Sequence, residues 1–553
     1  MMNKLWFTGL PVSVPLGALL AGIYGYVVGC YHHYEKSGLM DMQWDGITGF
    51  DILIMVLLIL CTIIIVFLLN VKDYFLNGKI DFVPHRSNAV TSISEDKKKA
   101  QNHPVPPQYV STQPDGLTVG RRRGKYVRIP FMMSPEHQII FGSPGSKKSN
   151  IIKNGLIEIY NFDAAVSAVL AIDCKPELSR ECVYEGRPDV KVINPSATDR
   201  WGFDVYYGLT DKSSDDALKD RFSMVARTLV VNSGGDNAFF YVSAQNILTA
   251  FLMYGFRKGY SFGEAVLTVM DASTEDLISE ILNDDEMEQH PKIKRLVREF
   301  DGKDSDAFQD VAMTLQQDLA IFDVDSVQQC FAADNPKMAS PVDLENGVSL
   351  FIAIPDHQLK PYSPVFRLIT QLCLRHMMSL PEWTRRDKKP VWFLIDEAGS
   401  IGPIPDMLEA LARGRSKKIQ ITLICQSYAQ MEQTYGKEGA VTITDCVKTT
   451  IVLSCFDTHT ARAFSDRIGT YRETKVSKQK KGSGTASKNE SEEYRPIMDI
   501  SDIAELERDE KVLVFAGGNW FLVDKSPYYT IKKHKDVSDI IREKNSRFYP
   551  NGV

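Results

Sequence analysis

Among 553 residues there is no C-x-x-C pair. The nine cysteines are scattered, which argues against a zinc-knuckle or disulfide framework and reads as reduced thiols in a cytosolic body. Positive charge is also short: 64 Lys and Arg against 70 Asp and Glu leave a net charge of −6. No global basic field advertises nucleic-acid binding, so any such contact must come from local patches. The 44% hydrophobic and 24% charged shares are those of an ordinary globular chain, long enough for several domains.

Charge is absent altogether from two N-terminal stretches. Residues 10–30, "LPVSVPLGALLAGIYGYVVGC", carry none, and residues 52–69, "ILIMVLLILCTIIIVFLL", are apolar apart from Thr62. A bilayer core takes about 20 residues of helix, so both runs read as transmembrane helices, at about 10–30 and 51–70. A cleavable signal is disfavoured by the weakly basic start and the lack of a small-x-small site. Between the runs stands Lys36 against Glu35, Asp41 and Asp45; beyond them come Lys72, Lys79, Arg86 and Lys97-Lys98-Lys99. The excess of Lys and Arg predicts both termini, and everything after the second span, on the cytoplasmic side.

The remaining organisation follows from punctuation and periodicity. We expect a membrane anchor at 1–75 and a juxtamembrane linker at 76–118, marked by Pro104, Pro106, Pro107 and Pro114. Arg121-Arg122-Arg123 reads as a solvated turn, with anionic lipid or nucleic acid as the alternative contact. Strands are expected at 137–141, 166–172, 190–193, 348–354, 391–395, 420–425, 449–454 and 511–516. Their continuous apolar character suits a largely parallel sheet covered on both faces. From 206 to 330 the strand signal gives way to helical spacing, as in Leu218, Phe222, Val225 and Leu229, with helix starts at Ser261 and Ser273. The fold class is therefore α/β: a nucleotide-binding domain in two parts, 119–205 and 331–553, interrupted by an all-α domain. Residues 475–493, "KVSKQKKGSGTASKNESEE", cannot bury a core and read as a mobile surface loop, its basic half a possible nucleic-acid contact.

The chemistry is concentrated in "HQIIFGSPGSKKSN", residues 137–150. An apolar strand end, a glycine-rich turn and a helix start nearly spell the phosphate loop G-x-x-x-x-G-K-[ST], whose backbone N–H groups cradle phosphates. The binding segment is Gly142, Ser143, Pro144, Gly145, Ser146, Lys147, Lys148, Ser149 and Asn150. Lys147 stands where the pattern asks for glycine. A second motif, "VWFLIDEAG", ends a strand in Asp396 and Glu397. In a phosphate-loop enzyme such a pair lies beside Mg2+: Asp396 and the Ser149 hydroxyl would serve the metal, and Glu397 would polarise the attacking water.

The stretch 393–436, "FLIDEAGSIGPIPDMLEALARGRSKKIQITLICQSYAQMEQTYG", resembles the type IV coupling proteins, the membrane-anchored ATPases of bacterial conjugation and type IV secretion. The acidic pair, a proline-bearing loop, an arginine-containing helix end, Gln-Ser after a strand and a downstream Tyr-Gly all occur in order. "AIDCKPEL", "RPIMDISDIAEL" and "KSPYY" extend the resemblance over nearly the whole chain. It implies a RecA-like P-loop domain with an all-α insert, ATP and Mg2+ as cofactors, and a homohexameric ring on the bacterial inner membrane. It also implies single-stranded DNA, a relaxase or protein effectors as cargo, and secretion-channel subunits and membrane lipid as further partners. Arg415 matches the family's arginine finger, given to a neighbouring subunit's nucleotide; the alternative is a surface arginine. Gln426 would sense the γ-phosphate or orient water; the alternative is an amide capping a turn. Asp173, Lys175 and Glu177 carry no assigned role, a structural ion network being the equal alternative. With little chain after "KSPYYTIKK", cargo recognition is expected in the helical insert.

Lys147 opens a second functional reading. If the loop needs a left-handed residue there, a side chain costs about 1–2 kcal/mol. A chain so altered could be a substrate receptor or scaffold that does not hydrolyse ATP. The intact Asp396-Glu397 pair and the matching Arg415 favour the motor. A chromosome-segregation pump, the third option, is disfavoured by the features after residue 396.

Overall fold

The computed structural model describes 51–54, 56, 57 and 60, and then 95–549 except 113–115, 131–135, 161–166, 199, 232–237, 299, 301–304, 383–388 and 481–485. The chain divides into two compact units, Met1–Ser92 and Ile93–Val553. The first expected span lies outside the described residues, as does most of the second; those of its residues that are described are helical. Among the described residues no helix is long and apolar enough to cross a membrane.

The second unit is built on one 12-stranded sheet. Its parallel part comprises β4 (Gln138–Phe141), β5 (Ala168–Asp173), β6 (Val190–Ile193), β9 (Ser349–Ala353), β10 (Val391–Ile395), β11 (Ile419–Cys425) and β12 (Thr449–Val452). They lie in the order β12-β4-β11-β10-β5-β9-β6. Successive residues feed opposite cores: Val391, Phe393 and Ile395 join one cluster, Trp392 and Leu394 the other. Burial on both faces is why these strands read as unbroken apolar runs.

Beyond β12 the sheet turns antiparallel through β15 (Lys511–Ala516), β16 (Asn519–Asp524), β2 (Leu117–Arg122), β3 (Lys125–Ile129) and β1 (Val110–Ser111). β1, and the first residues of β2, fall within the stretch read as a linker, and with β3 they form the edge of the sheet. Arg122 is structural there: it donates to His103 O, Leu522 O and Asn102 Oδ1. Arg121 donates to the Tyr126 hydroxyl at 2.6 Å.

Between β7 (Gly202–Phe203) and β8 (Met338–Ala339) every regular element of the described residues is helical. The capping box is complete at Ser261 and Glu264, while Ser273 caps by accepting from the Asp276 N–H. The stretch 475–493, expected to be a loop, is paired strand where it is described. Thr470–Lys480 and Ala486–Pro496 pair as a two-stranded antiparallel ribbon, β13 and β14. Such a ribbon pairs about half of its backbone groups across the two strands, leaves the others to water, and needs no apolar run. At its base, ion pairs join Arg472 to Glu492 at 3.1 Å and Arg495 to Glu473 at 2.9 Å.

Candidate functional site

β4 delivers the phosphate loop to the C-terminal edge of the parallel strands. Backbone bonds stitch the loop to both neighbours: Gly142 N–H donates to Cys425 O at 3.2 Å, and Ser143 N–H to Ser454 O at 3.2 Å. Gly142 must be glycine, because a Cβ there would stand 2.3 Å from Ser146 Oγ and 2.9 Å from Lys148 Cγ. Gly145 has φ +85°, and Lys147 itself has φ 67°. The loop therefore holds a lysine in the left-handed conformation that the motif normally gives to glycine. The Lys147 ammonium lies 3.4 Å from the Tyr529 hydroxyl on the C-terminal segment.

The helix Lys148–Tyr160 follows at once. Lys148 curls back, donating from Nζ to Gly142 O at 2.8 Å, and stands 4.0 Å from Glu397 Oε1. The other Glu397 oxygen accepts from Gln426 Nε2 at 3.1 Å. Glu397 also sits in the left-handed region, with φ 49°. Strained backbone of this kind collects at functional sites. β10 and β11 thus end in the carboxylate pair and the amide that face the loop.

These groups border a cavity of about 510 Å³ lined by Pro144, Gly145, Lys147, Lys148, Ser149 and Asn150 from the loop and helix start. Asp396, Glu397, Ser400 and Gln426 line its far side, with Cys174, Lys175, Glu177 and Leu359 completing it. Gly142, Ser143 and Ser146 are buried beneath the loop. Burial, and then repulsion from Glu397, push the Asp396 carboxyl up to about 7, with Lys148 pulling it down. With the Ser149 hydroxyl, this carboxyl offers hard oxygen donors suited to Mg2+. The residues present fit a magnesium-bound nucleotide.

Arg415 is elsewhere. It precedes β11, whereas Gln426 follows that strand; seven residues at about 3.3 Å each separate the two ends by about 20 Å. Arg415 does not line this chain's own cavity. It acts electrostatically on His137, which opens β4 and accepts the Ile421 N–H on Nδ1 at 3.1 Å. Burial pushes His137 down to about 4, opposed by a hydrogen bond with the Leu411 backbone and aided by Arg415. The unfolded residue takes its proton near 6.5, so between the two values the unfolded chain binds more protons and acid favours unfolding. We expect stability to fall as pH drops from 6.5 toward 4, and His137→Gln to flatten that slope in denaturant titrations. A slope unchanged by the substitution refutes the assignment.

Asp173 serves the fold: its carboxylate accepts from the Glu177, Leu178 and Ser179 N–H groups and caps the helix Glu177–Cys182. Glu177 and Glu181 pair with Lys153 at 2.7 and 2.8 Å. Lys175 remains an exposed side chain on the cavity. Sequence reasoning missed the lock on the back of the loop helix. Asn154 donates to Thr118 O and Ser526 O and accepts from His534 Nδ1 at 2.8 Å, while His534 Nε2 meets Glu158 at 2.7 Å. The signal was available, since Asn154 and Glu158 stand four residues apart on one buried face.

The family described as Type IV secretory system Conjugative DNA transfer matches residues 90–549. The chain is 25% identical over 346 residues to the type IV secretion system-coupling protein VirD4 of Bartonella quintana, covering 60% of this chain and 53% of that protein. It is 28% identical over 137 residues to the coupling protein TraD of Escherichia coli K12, covering 25% of this chain and 18% of that protein. The chain thus spans about half the length of VirD4 and less of TraD. A structure of the plasmid coupling protein TrwB with ADP and Mg2+ superposes with a TM-score of 0.58 at 19% identity, covering 75% of this chain and 90% of that one. TrwB with a non-hydrolysable ATP analogue gives 0.57 at 19% identity, with the same coverage. The likeness shows a shared fold.

Proposed function

Because the chain belongs to the conjugative DNA-transfer family of type IV secretory systems, we propose that it is a coupling protein driven by ATP. It would deliver DNA, a relaxase–DNA conjugate or protein to a secretion channel. The observation that carries the reading is the convergence of Lys148, Glu397 and Gln426 around the phosphate loop. Lys148 and the loop N–H groups would hold the β- and γ-phosphates. Glu397, its carboxylate oriented between Lys148 and Gln426, would take the proton of the attacking water, and Gln426 would align that water. Asp396 and Ser149 would hold Mg2+, which neutralises phosphate charge when bound. Two supports come from the relatives: TrwB is described bound to nucleotide and to Mg2+.

Arg415, remote from this chain's own cavity, suits a finger supplied to a neighbour in a ring, and a homohexamer is the assembly we propose. The apolar runs at 10–30 and 52–69 would anchor the ring in the bacterial inner membrane, in contact with lipid, with the ATPase unit cytoplasmic. Channel subunits would be its membrane-side partners and single-stranded DNA a cargo.

One observation favours a receptor that binds without turnover: the left-handed lysine in the loop. Hydrolysis by the detergent-solubilised full chain, with and without single-stranded DNA, separates the readings. We expect turnover stimulated several-fold by DNA and lost in Glu397→Gln, in line with the 10²–10⁴-fold contribution of a positioned base, roughly. Nucleotide binding with no turnover at all would leave the receptor reading in possession.

A further inference from the structure

We infer that Phe456 is the stacking platform for the nucleobase. The inference rests on the nucleotide reading above and adds the base to it. Phe141, the last residue of β4, pairs with Cys425 of β11 on one side and Val452 of β12 on the other. The groups that would meet the terminal phosphate, Glu397 and Gln426, follow β10 and β11. A nucleotide seated with that phosphate toward them sends its sugar and base away, toward β12.

On that side stands Phe456. Its ring is 65% exposed and has no ring partner among the described residues. The Phe456 N–H donates to Ser143 Oγ at 3.3 Å, so its backbone is fastened to the phosphate loop itself. Ser143 returns a bond to Ser454 O at 3.2 Å. One residue on, Asp457 caps the helix Thr458–Ile468 through the Thr460 N–H at 2.9 Å. The backbone that carries the ring is thus held between two anchored neighbours. An exposed aromatic of this size has a hydrophobic reason to be covered. The Asp457 carboxylate is engaged by the Thr460 N–H and hydroxyl. A face-on platform responds to ring area rather than to edge donors and acceptors.

The test is equilibrium titration of the detergent-solubilised full chain with ATP, GTP, UTP and inorganic tripolyphosphate, for the unaltered protein, Phe456→Ala and Phe456→Trp. We expect ATP and GTP to bind alike and UTP more weakly. Phe456→Ala should weaken both purine nucleotides by about tenfold, within the range for loss of one base–aromatic stack. Tripolyphosphate affinity should not move, and tryptophan should preserve purine binding. Unchanged ATP affinity in Phe456→Ala overturns the inference, as does an equal loss for tripolyphosphate, which would mark a disturbed loop. So does a change confined to the assembly mass, which would mark a subunit contact. If the unaltered chain takes tripolyphosphate as tightly as ATP, the phosphate reading stands and the base subsite alone fails. If it takes neither, both fall.

Discussion

Asp396→Asn should make the nucleotide-free protein more stable while removing magnesium-dependent turnover. The unfolded carboxyl titrates near 3.8 and the folded one at about 7, so between those values the folded state holds the extra proton. Stability therefore declines as pH rises through that window and stays low above it. The span from 3.8 to about 7 corresponds to a ceiling of about 4 kcal/mol, reduced by water entering the cavity. Asparagine keeps the shape, cannot ionise, and removes the repulsion with Glu397. The gain should be small at pH 5, where much of the burden is absent, and larger at pH 8. Turnover should fall by about 10² or more, the scale of losing a preorganised electrostatic contact. Thermal melts of both proteins at the two pH values, without nucleotide, decide the first half. A melting gap that does not widen from pH 5 to pH 8 would mean that Asp396 is solvated and ionised at no cost.

That a site can be legible while its supports are not has a physical basis. The phosphate loop and the acidic pair are short, ordered by chain geometry alone, and carry residue types that little else demands at that spacing. The parallel strands were readable because both faces are buried, which leaves no polar alternation to confuse. The antiparallel flank hid for the opposite reason: β2 and β3 mix Arg121, Arg122, Lys125 and Arg128 with apolar residues and pair over short spans. The turn to β16 was missed although its mark was present. Gly517 and Gly518 have φ 58° and 76°, the doubly left-handed form of a two-residue hairpin. The ribbon of 470–480 and 486–496 shows the limit of composition, since polarity excludes a core but does not exclude a backbone ladder. Asp173 shows another limit: a carboxylate after a strand looks the same in sequence whether it faces a ligand or caps a helix. Only the three N–H groups around it decide.

Lys147→Gly should tighten nucleotide binding by about tenfold in high salt. The described loop keeps residue 147 at φ 67°, the geometry that presents its N–H groups to phosphate. A lysine held there carries about 1–2 kcal/mol of backbone strain that glycine lacks. The restraints on it in the free protein are slight: its carbonyl accepts the Asn150 N–H at 3.1 Å, and its ammonium reaches Tyr529 at 3.4 Å. We expect the strained free loop to populate other conformations as well, so that binding must recover the competent one and the apparent affinity falls by the competent fraction. The lysine offers a compensating attraction of about 1 kcal/mol for an exposed charge near a phosphate, and salt erodes it. Glycine should thus gain least at low ionic strength and most at high. Alanine separates the two terms, because it keeps the strained Cβ and discards the charge. The expected order of affinity in high salt is glycine, then lysine, then alanine. If alanine binds as tightly as glycine, the left-handed residue is not what limits this loop. If lysine binds best at every salt concentration, its ammonium is a phosphate ligand and the altered loop is a gain.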